Sequence, residues 1–436
     1  MKKKILIMSI LFGIVLSGFV YFQNKCDADG EHICYVNRED VFKIEEDASL
    51  KVQVETEALG EYLVNTWDKL HPKHKGSIEY VVKSPLSLAE LLDDLETDIV
   101  VTSIHYGAFV LDKMRDMGDV YKKEVLVKSP KRMQGAINLN GSYFTPNSVS
   151  GWTFVYNKTL AESLDLDLTD SDGNGLPDDF DSFEKIFELD VDVKYKFPIT
   201  FVDQYSFYPF LTSGKWELNF TNEGMDPGFK HPEFLKGLDL IVDFRKLDMG
   251  SSDELTWKYD RALENGETLF SMVSDFMVPH LELDDEIVYA PFPTYHENPL
   301  TPLGFVDGYM VSEEVMYPSA AAEVLRILRD AKAAQVYKSD KTFVYHKKFV
   351  DDLKVDDVIL QKILAYNYTT VDPVIVLEDY PQIMARDVFY EADFMPVLKD
   401  LYDNKITQEE AQRQFIETYN QWLKERVDKL NVEKTN

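Results

Sequence analysis

Residues 50–104 read LKVQVETEALGEYLVNTWDKLHPKHKGSIEYVVKSPLSLAELLDDLETDIVVTSI, and their periodicity decides the fold class. Leu50, Val52 and Val54 alternate with polar neighbours, the period-two pattern of a half-buried strand. Leu59, Tyr62, Leu63, Trp67 and Leu70 then recur on one helical face, which His71-Pro72 ends. A second strand is expected around 78–82, a second helix around 86–95, and a third strand over 98–104. Strands separated by helices of this length imply parallel βαβ units with right-handed crossovers. Ligands of such sheets meet the loops at the carboxyl ends of the strands, which points to Ser103, His105 and Tyr106.

The alternation continues outward from this stretch. WTFVYNK (152–158) reads as a strand running into a helix near Thr159, and IVYAPFPT (287–294) as a strand leaving through prolines. Phe234, Leu235, Leu238, Ile241 and Phe244 form a helical stripe, and a helix rich in Ala and Leu follows Pro318. Thr407 and Glu410 have capping-box spacing ahead of Phe415, Tyr419, Trp422, Leu423 and Leu430. The expected class is α/β, with parallel-rich sheets flanked by helices and a helical C-terminal tail.

At 436 residues the chain is long enough for two or three domains. With 77 acidic against 46 basic residues it carries a formal charge of -31, which argues against nucleic acid or anionic lipid as partner, since a polyanion needs a basic footprint. Two cysteines exclude a disulfide framework and a four-thiolate zinc site.

The N-terminus is a different material. Lys2, Lys3 and Lys4 precede an uncharged apolar run over 5–22, the pattern of an export signal and just long enough to span a bilayer. Residues 1–24 are therefore expected as a signal peptide or an uncleaved anchor, and 25–44 as a stalk. The expected location is the outer face of the cell membrane, or periplasmic or secreted if the leader is cleaved. Lipidation at Cys26 is an alternative, although Gln23-Asn24-Lys25 is a poor lipidation signal. Cys26 and Cys34 either close a small disulfide loop or remain two unpaired thiols.

No catalytic signature is present: no G-x-S-x-G elbow, no H-E-x-x-H, no phosphate-binding glycine loop. One metal signature is. Residues 170–181, DSDGNGLPDDFD, match the calcium-loop template, which takes oxygen ligands at positions 1, 3, 5, 7, 9 and 12 around a glycine at position 6. Those positions hold Asp170, Asp172, Asn174, the Leu176 carbonyl, Asp178 and Asp181, with Gly175 at the turn. A structural Ca2+ is expected; alternatively, Asp181 with Glu184 caps the following helix. Eleven acidic residues and one Lys between 165 and 192 concentrate the charge here.

Six stretches in order resemble the extracellular solute-binding proteins of sugar ABC importers, the maltodextrin-binding family. They are TDIVVTSIHYGAF (97–109), FVYNKTL (154–160), ALENGETLFSMVSDFM (262–277), PLGFVDGYMVSEE (302–314), the Ala-rich helix after it, and YPQIMARDVFY (380–390). The resemblance implies a two-lobed periplasmic-binding-protein-like fold of type II. One lobe would hold 45–149 and 288–346, the other 150–287 and 347–431, with a sugar in the cleft between them. It further implies aromatic platforms at Tyr106, Trp152, Tyr205, Tyr208, Phe276, Phe389 and Tyr390, and hydroxyl-binding groups at His105, Asp203, Asp275 and Asp307. Two departures turn the expectation from maltose itself towards another oligosaccharide such as a maltodextrin. Ser274-Asp275-Phe276 stands where the family often has Gly-Pro-Trp, and His105 where maltodextrin binders carry an acid.

The function expected from the resemblance is carbohydrate capture by a monomeric receptor that serves ABC permease subunits and catalyses nothing itself. The alternatives are a receptor for another small solute such as a polyamine, a secreted polysaccharide-acting enzyme, or a receptor that feeds a sensor kinase.

Overall fold

The computed structural model describes residues 31–36, 41–130, 141–218, 226–255, 261–274, 283–337, 341–345, 348, 354–366, 370–371 and 387–435. The leader 1–24, Cys26, Asp275 and Phe276 lie outside the described residues. Among those described, no helix is long and apolar enough to cross a membrane.

The opening alternation folds as read. Strands β1 (Tyr35–Val36) and β2 (Val41–Phe42) form a separate hairpin. They precede β3 (Leu50–Val54), β4 (Ile78–Val82) and β5 (Ile99–Ser103). β3 pairs in parallel with both β4 and β5, and helix Glu57–Leu70 makes the first crossover. Thr56 starts that helix by accepting the Leu59 N–H. Leu59, Leu63 and Trp67 then bury against Val52 and Val54 in the first core. The Trp67 indole donates to the His74 carbonyl and the Ser77 hydroxyl, each at 3.1 Å, so its only polar atom is satisfied inside the core.

The rest of the sheet is antiparallel, apart from a final two-residue strand that pairs in parallel with Leu303 and Gly304. It holds β6 (Thr145–Asn157), β7 (Phe270–Ser274), β8 (Ile287–Ala290), β9 (Leu303–Val311), β10 (Thr342–Phe343) and β11 (Thr370–Val371). The strand order is β10-β6-β9-β5-β3-β4, with β7 and β8 on the far end of β6 and β11 on β9. β6 and β9 are the crossing strands. Residues 145–151 of β6 pair with β9, whereas 152–157 pair with β7 and β8. Close packing at the crossing requires glycine. A Cβ at Gly308 would lie 2.3 Å from the Thr145 carbonyl, and one at Gly151 would lie 2.6 Å from that of Leu303.

Two large cores lie on either side of this crossing. The first draws on residues 42–125 and 309–345, together with Ile363. The second is built largely of rings, including Phe154, Phe183, Phe197, Phe210, Phe244 and Phe270, and is closed by Phe389, Phe394, Phe415 and Trp422. Several of these rings meet edge to face, as Phe183 does with Phe244 at 5.5 Å, the arrangement that the ring quadrupole favours. The helical stripe forms helix Pro232–Asp243, and the C-terminal tail is the helix Gln408–Thr435. The Glu410 N–H bonds to Thr407 at the start of that tail, while the Glu410 side chain turns to Arg413.

Packing redraws two expected boundaries. Residues 288–303 were expected with the first lobe, but Ala290, Phe292, Tyr295, Leu300 and Leu303 bury in the second core because β8 pairs with the far end of β6. Helix Asp357–Tyr366 was expected with the second lobe, yet its Ile363 buries in the first core. The described part of the expected stalk is docked. Phe42 buries in the first core and the Cys34 N–H donates to the Ser319 hydroxyl at 2.9 Å; just beyond the expected stalk, Glu45 accepts the Ser319 and Ala320 N–H groups at 2.7 and 2.9 Å. Cys34 is buried and disulfide-bonded, and the chain has one other cysteine, Cys26.

Candidate functional site

Where β6 and β9 pass into the second core, side chains from three distant segments converge. Asp203 caps the short helical turn Gln204–Phe207, accepting the Tyr205 N–H at 3.0 Å. Burial pushes the Asp203 carboxyl above its ordinary value, opposed by bonds from the Tyr205 N–H and the Trp152 side chain on β6. Tyr205 stacks between neighbours on two sides: its ring lies 5.5 Å from Phe305 of β9 and 5.3 Å from Tyr390. Tyr205 itself is buried, whereas Tyr390 keeps 51% of its surface. Tyr390 is thus the outward ring of a backed stack. Beside it, an open depression of about 330 Å³ is lined by Val202, Asp203, Gln204, Tyr390, Glu391 and Asp393 among others.

On the first-core side, a carboxylate sits at the carboxyl end of β3. Glu55 accepts from Asn147 at 2.6 Å and from the Tyr337 hydroxyl at 2.9 Å. Burial raises the Glu55 pKa, against the opposing influence of Tyr337, Lys341 and Asn147. Lys341, its own pKa lowered by burial, is ion-paired with Asp307 of β9. The result is a polar wall of alternating charge, with an aromatic and acidic wall across the crossing strands. Such a pair of surfaces can take the C–H faces of a ring on one side and its polar substituents on the other.

No family model matches the sequence, and no curated protein matches it. Among solved structures, the chain is similar to the crystal structure of a cyclo/maltodextrin-binding protein complexed with maltotetraose. The TM-score is 0.62 at 14% identity, over 86% of this chain and 97% of that one. The chain has a maltodextrin-binding-protein-like fold. At this identity the likeness is one of architecture, and the side chains must be judged one by one.

Within that fold, the expected site residues separate into groups. Trp152, Asp203, Tyr205 and Tyr390 come together, with Tyr205 as a backing ring and not an open platform. Tyr208 and Phe389 are corrections: both are almost fully buried, packed against each other at 5.4 Å and against Trp216. A ring enclosed on both faces by protein has no face for a ligand. His105 is also fully buried, in the turn after β5 with its ring 6.3 Å from Phe305. Tyr106 is half-buried, against the small core of Val100, Val149 and Met310. Asp307 is buried and held by Lys341. Sequence reading missed Phe305, Glu55 and Gln204. Phe305 lies inside a quoted motif, but its alternation looks like that of any strand residue.

The acidic loop converges in part. Carboxylate oxygens of Asp170, Asp172 and Asp178 lie within 4.8 Å of one another. Gly175 has φ +94°, the left-handed turn expected at position 6. Asp170 accepts the N–H groups of Gly173, Asn174 and Gly175, while Asn174 accepts that of Leu176. Bonds from the Ser171 hydroxyl and N–H hold the Asp178 carboxyl below its ordinary range. Asp181 departs from the expectation. Expected as the position-12 ligand, it pairs with Lys185 at 2.9 Å, and the helix it was alternatively expected to cap is capped by Ser182. The Leu176 side chain is buried in the second core, which ties the loop to the body. The converging hard oxygens suit a divalent cation of the Ca2+ kind.

Proposed function

We propose that this protein is the substrate-binding component of an ABC importer, a two-lobed receptor that closes on an extracellular carbohydrate. The lobes are the two cores joined by β6 and β9, and the sugar lies between the Tyr390 stack and the polar wall at Glu55. One observation carries the reading. A half-exposed tyrosine, backed by two further rings and set beside a half-buried carboxylate, is what a sugar needs: a flat face for its C–H side and an acceptor for its hydroxyls. The architectural likeness to a protein holding maltotetraose supports an oligosaccharide, and the receptor itself catalyses nothing. Trp152, Asp203 and Tyr390 would contact the ligand.

Export and tethering are part of the proposal. The lysine-led apolar leader and the bonded Cys34 both suit an oxidising exterior. A Ca2+ held by Asp170, Asp172, Asn174 and Asp178 would offset part of the local negative charge and stiffen the second lobe.

The test is a thermal-shift panel of mono- and oligosaccharides, including maltotetraose, alongside polyamines. A saccharide that raises the melting temperature, with the effect lost in Tyr390→Ala, is the expected outcome. Stabilisation by polyamines alone would overturn the carbohydrate reading in favour of a cation bound at the carboxylates.

A further inference from the structure

The Tyr390 ring is carried by helix Asp387–Glu391, which spans five residues. A helix so short has little stability of its own and depends on its surroundings for its geometry. On the site side it is anchored by the Gln204 side chain. The Gln204 amide nitrogen donates to the carbonyls of Phe389 at 2.8 Å and Ala392 at 2.5 Å, and its oxygen accepts the Phe394 N–H at 2.7 Å. Three main-chain groups around the end of the helix are thereby satisfied from a residue 185 to 190 positions away. Gln204 stands between Asp203, the carboxylate of the site, and Tyr205, the ring behind Tyr390.

We propose that Gln204 is a positioning residue for the ligand platform. It locks the helix bearing Tyr390 to the turn bearing Asp203 and Tyr205, so that ring and acceptor meet the ligand as one rigid surface. The inference rests on the carbohydrate-capture reading above. The chemistry requires an amide, because one planar group must both donate to two carbonyls and accept from an N–H. Glu at this position would lose both donors and set its charge against two carbonyl oxygens. A second polar contact, from the Trp422 indole to Glu391 at 3.0 Å, holds the opposite flank of the same helix. Without Gln204 the helix therefore keeps its attachment but loses its register on the Tyr205 side.

The test is a double-mutant cycle with maltotetraose as probe, read by calorimetric titration. Gln204→Met keeps the volume and removes all three bonds, and we expect it to weaken binding ~10-fold. In a Tyr390→Ala background the same change should weaken it less than ~2-fold, because the platform it positions is gone. Losses that multiply independently, or unchanged affinity in Gln204→Met, would overturn the proposal. Hydrogen exchange without ligand gives a second readout. Amides over 388–394 should exchange faster in Gln204→Met while those of β3 and β5 are unchanged, and equal protection over 388–394 would also overturn it. If the wild-type protein binds no saccharide, the carbohydrate reading fails and the exchange experiment alone decides the positioning role. Should Gln204→Met fail to fold, Gln204→Asn, which shortens the same amide, goes through both readouts.

Discussion

The Tyr205 hydroxyl donates to the Leu303 carbonyl at 2.8 Å, tying the ring stack of the candidate site to the first residue of crossing strand β9. On the neighbouring strand, the Tyr366 hydroxyl donates to the Gly151 carbonyl, also at 2.8 Å. The two carbonyls lie where Gly151 and Leu303 make one of the close approaches of the crossing, and each is braced by one tyrosine. Tyr205→Phe keeps the ring and removes one brace, leaving a buried carbonyl without that partner. The expected cost is about 1–2 kcal/mol, measured as a lower urea midpoint with an unchanged slope. An unaltered midpoint would show that the hydroxyl does not hold the crossing.

Glu45 caps helix Pro318–Leu328 from outside the helix, with both carboxylate oxygens on main-chain N–H groups. The negative charge also opposes the positive end of the helix dipole. Glu45→Ala should destabilise the protein by about 1–3 kcal/mol. Limited proteolysis should then cut within residues 31–48 faster than in wild type. Equal cleavage rates would mean that the N-terminal hairpin is held by its other contacts, such as the Cys34 N–H to the Ser319 hydroxyl at 2.9 Å.

The opening strands and helices could be read because each shows a single clean period, as Val52 and Trp67 do. The thirteen-residue β6 could not. Its first half, Thr145–Gly151, is made of small and polar residues without alternation, since both faces are covered by protein. Platform rings were equally hard to separate from core rings. Tyr208 and Tyr390 are the same residue type in similar sequence surroundings, and only the positions of Trp216 and Phe389 decide which is enclosed. The hairpin at 35–42 escaped notice because two-residue strands leave no periodic trace.

Stability should fall in acid through Glu323, a buried carboxylate bonded to Arg326 at 2.6 Å and to His71 at 3.0 Å. Burial disfavours its charge, but the bonds from His71 and Arg326 prevail, and its pKa lies below the ordinary 4.5. A carboxyl depressed in the folded state contributes stability above its unfolded pKa and loses it as pH falls through the folded value. Glu323→Gln should therefore cost about 1–3 kcal/mol at pH 7, and the gap to wild type should narrow below pH ~4. Urea unfolding at several pH values checks this, and a constant gap would refute it.

For the acidic loop, millimolar Ca2+ should raise the melting temperature over chelated protein, with a stabilisation of about 1–3 kcal/mol if the site is tens- to hundreds-fold saturated. Asp172→Ala is the informative variant. Its carboxylate accepts only from Asn174 in the loop, whereas Asp170 also supports two further main-chain N–H groups. Loss of the calcium response in Asp172→Ala with little change in chelated stability is expected. Identical melting with and without chelator in wild type would exclude a bound ion.

The docked hairpin also sets a length. If residues 5–22 remain in a bilayer and Cys26 is the partner of Cys34, only positions 23–25 separate the bilayer from that bond, a span of about 10–11 Å at full extension. A receptor on so short a lead patrols a thin shell above the membrane instead of diffusing away from it. Confinement to that shell would raise the local concentration at which it meets a membrane partner well above that of a freely diffusing receptor, in proportion to the copies the membrane holds.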